Sequence, residues 1–165
     1  MKKQLVRAVL SVVAMVMSAA PIAQTPGGRL QGVWKVVEVR STGPNAATNT
    51  SPQPGLYIFT ARHYSIQRVV SDTQRPDLPA DVNKATAAEL LASWGPIVAL
   101  SGTYELAGTK LTMRPTVAKN PAFMKGNPVS VASIKLEGNT LWLTLESNPA
   151  GPVANPATVK LTRAE

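Results

Sequence analysis

The chain has no cysteine, a single histidine (His63) and only 5% aromatic residues in 165 positions. Without cysteine there is no disulfide framework, thiolate metal site, cysteine nucleophile or lipid-modified N-terminal cysteine. One histidine beside a tight turn suits a surface residue better than a catalyst, and nothing near it in sequence makes a triad. No H-E-x-x-H, G-x-S-x-G, P-loop or dinucleotide fingerprint occurs. Charged residues are only 16% and apolar residues 44%, which excludes disorder driven by charge. Asp72, Asp77 and Asp81 lack the spacing of a calcium loop, and Arg75 intervenes. No metal or other cofactor is therefore expected. Asn49–Thr50–Ser51 fits a glycosylation sequon, a short and weak match.

What is present begins with a leader. Lys2, Lys3 and Arg7 precede an apolar run, Ala8 to Ala20, broken only by Ser11 and Ser18, and small residues follow up to Ala23. This is the layout of a secretory signal peptide over residues 1–23, cleaved after Ala20 or Ala23. The run is short for a spanning helix, so no stable membrane anchor is expected once it is removed. The expected location is secreted or periplasmic, in the cell envelope. Three of the 17 basic residues and none of the 9 acids lie in the leader, so the remaining chain carries 14 bases against 9 acids, a net +5. Those bases are scattered rather than striped, and they are not interleaved with stacking aromatics, which argues against nucleic acid as a partner.

Residues 24–165 form one domain by length. Period-two alternation and short apolar runs predict eight strands: Leu30–Arg40, Leu56–Thr60, His63–Val70, Val98–Leu106, Lys110–Thr116, Val129–Glu137, Thr140–Glu146 and Ala157–Thr162. Turn residues separate them. Gly138–Asn139 is the clearest hairpin turn, because the pair tolerates positive φ. Asn83–Trp94 breaks the rhythm: it is rich in Ala, Leu and Glu, and Thr86 with Glu89 three residues on predicts a capping box. Leu90, Leu91 and Trp94 are expected on one side of that helix. The fold class is all-β, an eight-stranded antiparallel barrel with one short helix between strands 3 and 4, with a sandwich as the alternative.

Gly32–Val33–Trp34 on the first strand is a G-x-W motif. It is followed in order by LYIFTARHYSIQRVVSDTQRP, ATAAELLASWGPIVALSGTYEL and GTKLTMRPTVAKNP. The series resembles the bacterial lipocalin-like domain family from about Leu30 to Arg163. The resemblance implies a short secreted barrel, most of whose relatives lack an assigned ligand. It implies structural roles for Gly32, Trp34 and Arg163, with the arginine stacked on the tryptophan at the closed end. It also implies a lid over the open mouth from the loop Ser41–Pro54. Two positions depart from the pattern: a histidine common near Leu111–Arg114 is missing, and Ala61–Arg62 replaces an Asp-Gly turn.

Alternation puts Tyr64, Ile66, Arg68 and Val70 on one face of the third strand. If that face points inward, Arg68 needs an acceptor, either Glu105 within the protein or a carboxylate or carbonyl of a ligand. The ligand-binding set expected on this basis is Arg68 and Tyr64, with Tyr104 across the cavity, for a polar head, and Ile58 and Met113 for an apolar body. Phe123 and Met124 stand out in the Pro-rich loop Pro115–Pro128, either tucked under it or exposed as a soft contact.

The leading functional expectation is an exported binder of a small hydrophobic or amphipathic molecule. Two alternatives stand beside it: a cofactor-independent cyclase or isomerase working in the barrel, and an envelope interaction or inhibitor protein with a filled barrel. No catalytic residue is assigned.

Overall fold

The computed structural model describes residues 26–165, so the leader assigned to residues 1–23 lies outside it. The strands are β1 (Gly32–Arg40), β2 (Thr48–Asn49), β3 (Gly55–Phe59), β4 (His63–Val69), β5 (Ile97–Ala107), β6 (Lys110–Ala118), β7 (Ser130–Glu137), β8 (Thr140–Asn148), β9 (Gly151–Pro152) and β10 (Thr158–Arg163). Every neighbouring pair is antiparallel, in the order β1-β3-β4-β5-β6-β7-β8-β10, and β10 pairs β1 as well as β8. The ring is closed. The two-residue β2 and β9 only extend β1 and β8. The protein is therefore an eight-stranded antiparallel barrel, the fold expected from the sequence, and closure removes the free edges a sandwich would expose.

The connections divide the barrel into two ends. Hairpins at Thr60–Arg62, Gly108–Thr109 and Gly138–Asn139 close one end, while the loops 41–54, 70–96, 119–129 and 149–157 all lie at the other. At the Gly138–Asn139 turn only the glycine takes a positive φ, 54°. Helix α1 (Pro26–Leu30) covers the closed end, which corrects the expectation that the first strand begins at Leu30. Leu30 is fully buried at the end of that helix, and its carbonyl accepts a hydrogen bond from Trp34 Nε1 at 2.8 Å.

Burial follows strand parity. Trp34, Phe59, Leu111, Leu141 and Leu161, with Leu30, fill the closed half and are essentially inaccessible to solvent. Tyr64 and Tyr104 join them, Phe59 and Tyr104 meeting edge to face at 5.4 Å between centroids. On the outer face, Lys135 and Lys160 flank the Trp142 ring from both neighbouring strands, at 5.2 and 5.9 Å. They cover the indole while keeping their charges in water.

Helix α2 (Ala87–Trp94) is shorter than the expected span, because Val82–Lys84 forms a separate 3₁₀ turn. Its capping box is complete: Thr86 Oγ1 accepts from Glu89 N–H, and the Glu89 carboxylate accepts from Thr86 N–H. The Thr86 N–H and the Thr86 hydroxyl both donate to that carboxylate and hold it below its usual range. The expected apolar side is corrected. Leu91 is 73% and Trp94 53% exposed, while the buried residue is Ser93. The helix is anchored by polar contacts instead. Lys119 Nζ donates to the carbonyls of Trp94, Gly95 and Ile97, and Arg75 donates to Ser93 O. Two cations thus satisfy carbonyls that a helix end leaves without intrahelical partners.

Candidate functional site

The closed half is solid and the mouth half is not. Inside the strand wall at the mouth lies a cavity of about 340 Å³, near the lower end of the size range of small-molecule sites. Its wall is mostly apolar, from Ile66, Leu100, Met113, Leu143, Leu145 and Val159. Polar groups are few: the Arg68 guanidinium, the Tyr57 hydroxyl, Ser130 and Asn155.

Arg68 reaches this cavity because it follows Tyr64 and Ile66 at even spacing on β4, whose odd-numbered residues point outward. Its Nη1 donates to Tyr57 Oη at 3.4 Å, a long bond. Among the described residues no carboxylate pairs with it, and none lines the cavity. Glu105, the internal partner considered from sequence, faces the other way. Its side chain is 74% exposed on the outer wall, 3.3 Å from Arg114. The physical reason is parity: on β5 the neighbouring Tyr104 points inward, so Glu105 must point out.

The other expected ligand contacts are distributed differently. Met113 lines the cavity beside Arg68. Tyr64 lies deeper, in the solid half, and its hydroxyl is buried without a hydrogen-bond partner. Burial alone pushes that phenol up to about 12. Tyr104 is likewise below the cavity. Its hydroxyl donates to Thr60 O at 2.7 Å across the closed end, and burial raises its pKa too. Ile58 does not belong to the set. It is 40% exposed on the outer wall, paired with Val33 and Ser65, while Tyr57 and Phe59 take the inner positions of β3.

Tyr57 is the contact that sequence reasoning missed. The run Leu56–Phe59 is apolar at both parities, so alternation carried no direction; bulk gave the only signal, since the two aromatic rings fill more interior volume. Phe123 also enters the site. It is half-buried on a 3₁₀ turn, Pro121–Met124, whose start is capped by Asn120 Oδ1 accepting from Ala122 N–H. Met124 beside it is exposed.

Gly32, Trp34 and Arg163 sit together at the opposite end. Arg163 Cζ lies 4.1 Å from the Trp34 ring centroid, and its guanidinium donates to the carbonyls of Arg29 and Gln31. Gly32 has φ +130°, and a Cβ there would overlap Arg163 Nη1 and the Glu165 carbonyl. The glycine is required both by its conformation and by the close approach of β10.

His63 is exposed at the closed-end hairpin. No group of three histidine or carboxylate side chains that could hold a metal occurs among the described residues. No helix there is long and apolar enough to cross a membrane.

No family profile matches the chain, and no curated protein matches it. Among solved structures, a point mutant of the fluorescent protein UnaG is similar at 11% identity and a TM-score of 0.35, covering 83% of this chain and 97% of that one. A likeness of that size adds nothing to what the strand pairing already establishes.

Proposed function

We propose that this protein is an exported, lipocalin-like carrier that holds one small amphipathic, anionic molecule in the mouth half of the barrel. One observation carries the reading: a single guanidinium, Arg68, stands in an otherwise apolar cavity with only a long hydrogen bond to Tyr57. A half-buried cation without a counter-charge is unfavourable, and a bound carboxylate would offset that cost. Tyr57 and Ser130 would orient the head, while Met113, Leu143 and Leu145 would meet the apolar body. The leader supports release into the cell envelope, and the family resemblance supports a secreted barrel. The cavity weighs against the alternative of a filled barrel acting only through its loops.

The test is Arg68→Met, titrated with dodecanoate and with dodecanol. Loss of the charge-assisted bond is expected to weaken the carboxylate about tenfold to a hundredfold and to leave the alcohol nearly unchanged. Equal losses for both ligands, or none for either, would overturn the role given to Arg68.

A further inference from the structure

A second cavity of about 280 Å³ lies beside the first, between the end of α2 and the last residues of β6. The two share three wall residues: Val98, Leu100 and Phe123. Val98 and Leu100 are held in β5 by pairing with Arg68 and Ile66. Phe123 belongs to a one-turn 3₁₀ segment in a loop, and it is the one shared side chain not fixed by a strand ladder.

The side cleft suits hydrocarbon. Ile97, Ala99 and Ala118 line it with the shared residues. Its one cation, Lys119, is committed to the backbone, since its ammonium donates to the carbonyls of Trp94, Gly95 and Ile97. The cleft thus offers no free charge to a polar head, whereas the barrel cavity does. A ligand spanning both would place its head at Arg68 and its tail past Phe123.

We propose that the side cleft is a second subsite, for the distal acyl tail of a long-chain carboxylate, and that Phe123 is the swinging partition that sets which chain lengths reach it. This rests on the ligand-binding reading above. Val98 and Leu100 are fixed in β5, so the opening falls to rotation of the half-buried Phe123 ring, a rotamer change fast compared with ligand exchange. Short carboxylates fill the barrel cavity alone; longer ones displace the ring and continue between Ile97 and Ala118.

The experiment titrates wild-type protein, Phe123→Ala and Ala118→Phe with hexanoate, octanoate, dodecanoate and hexadecanoate. Each additional buried methylene strengthens binding by about fourfold. In wild-type protein that gain is expected to pause over the methylenes that displace the Phe123 ring and then resume, and in Phe123→Ala to run on without the pause. Ala118 lines the cleft and is not part of the barrel-cavity wall, so Ala118→Phe should lower affinity for hexadecanoate at least tenfold, with unchanged hexanoate affinity as the check that the barrel cavity is intact. Should a variant fold poorly, methyl NMR of the wild-type protein gives the same answer: the Ala99 and Ala118 methyls respond to dodecanoate but not to hexanoate. Carboxylates that bind with the same chain-length profile in all three proteins, and without moving those methyls, would overturn the partition while leaving the Arg68 site standing. Failure of every carboxylate to bind any of the three would overturn both.

Discussion

Replacing Arg163 with methionine tests how the closed end is held. The side chain makes one ring contact and two hydrogen bonds that matter here. Its guanidinium lies over the Trp34 ring at 4.1 Å, a cation–π contact worth about 1 kcal/mol when half-buried. It also donates to Arg29 O and Gln31 O, carbonyls at the end of α1 that would otherwise lack partners. Charge-assisted bonds in a partly solvated setting contribute about 1 kcal/mol each. The sum is about 3 kcal/mol, which for a domain of this size corresponds to a fall in Tm of about 10 °C. Arg163→Lys keeps the charge but loses the planar fork, so about half the loss is expected. Thermal melts followed by far-UV circular dichroism measure the effect. Emission of Trp34 should shift to the red in the methionine variant, with Trp94→Phe and Trp142→Phe as the background that isolates it. A methionine variant that melts within about 2 °C of the parent would refute the account, because methionine retains only the hydrophobic part of the packing.

Tyr64 and Tyr104 should respond oppositely to loss of their hydroxyls. Tyr104→Phe removes a 2.7 Å bond and strands the Thr60 carbonyl, so a loss of about 1 kcal/mol is expected in denaturant titration. Tyr64→Phe removes a buried hydroxyl with no partner, so stability should be unchanged or higher; a loss matching that of Tyr104→Phe would show the hydroxyl to be satisfied. Tyr64 also predicts an alkaline limit. Its folded pKa of about 12 exceeds the ordinary value of 10.0, so the unfolded chain loses the proton first and stability falls as pH rises through that interval. Tyr64→Phe should flatten the decline, and an identical pH–stability profile for parent and variant would refute the assignment.

The parts of the fold legible in the sequence were those where a local rule had one answer. Gly138–Asn139 sits between two clean alternating runs, and Thr86 with Glu89 satisfies a capping geometry that needs no tertiary partner. Arg68 could be placed on the same face as Tyr64 and Ile66 because β4 alternates cleanly with Ser65 and Gln67. The rest depended on contacts distant in sequence. Leu56–Phe59 is apolar at both parities, so alternation does not decide between Ile58 and Tyr57, and only ring bulk points to Tyr57. Glu105 looked like a partner for Arg68 by charge alone; its direction follows from Tyr104, whose own direction is set by packing against Phe59. The exposed side of α2 contradicts its amphipathic pattern, since Lys119 and Arg75 fasten the helix by its carbonyl end rather than by burial of Leu91 and Trp94. Phe123 gained its place only when the loop after β6 was brought against β5.

The division of labour between the two ends bears on how such a molecule can change over generations. Residues that make the barrel fold are gathered under its floor, at Trp34, Arg163, Phe59 and Leu111. Those that line the cavity hang from the rim, at Arg68, Phe123 and the long connections around them. Mutation can therefore reshape the rim while the floor keeps the barrel intact, and a designer wanting a different cavity could vary the same positions.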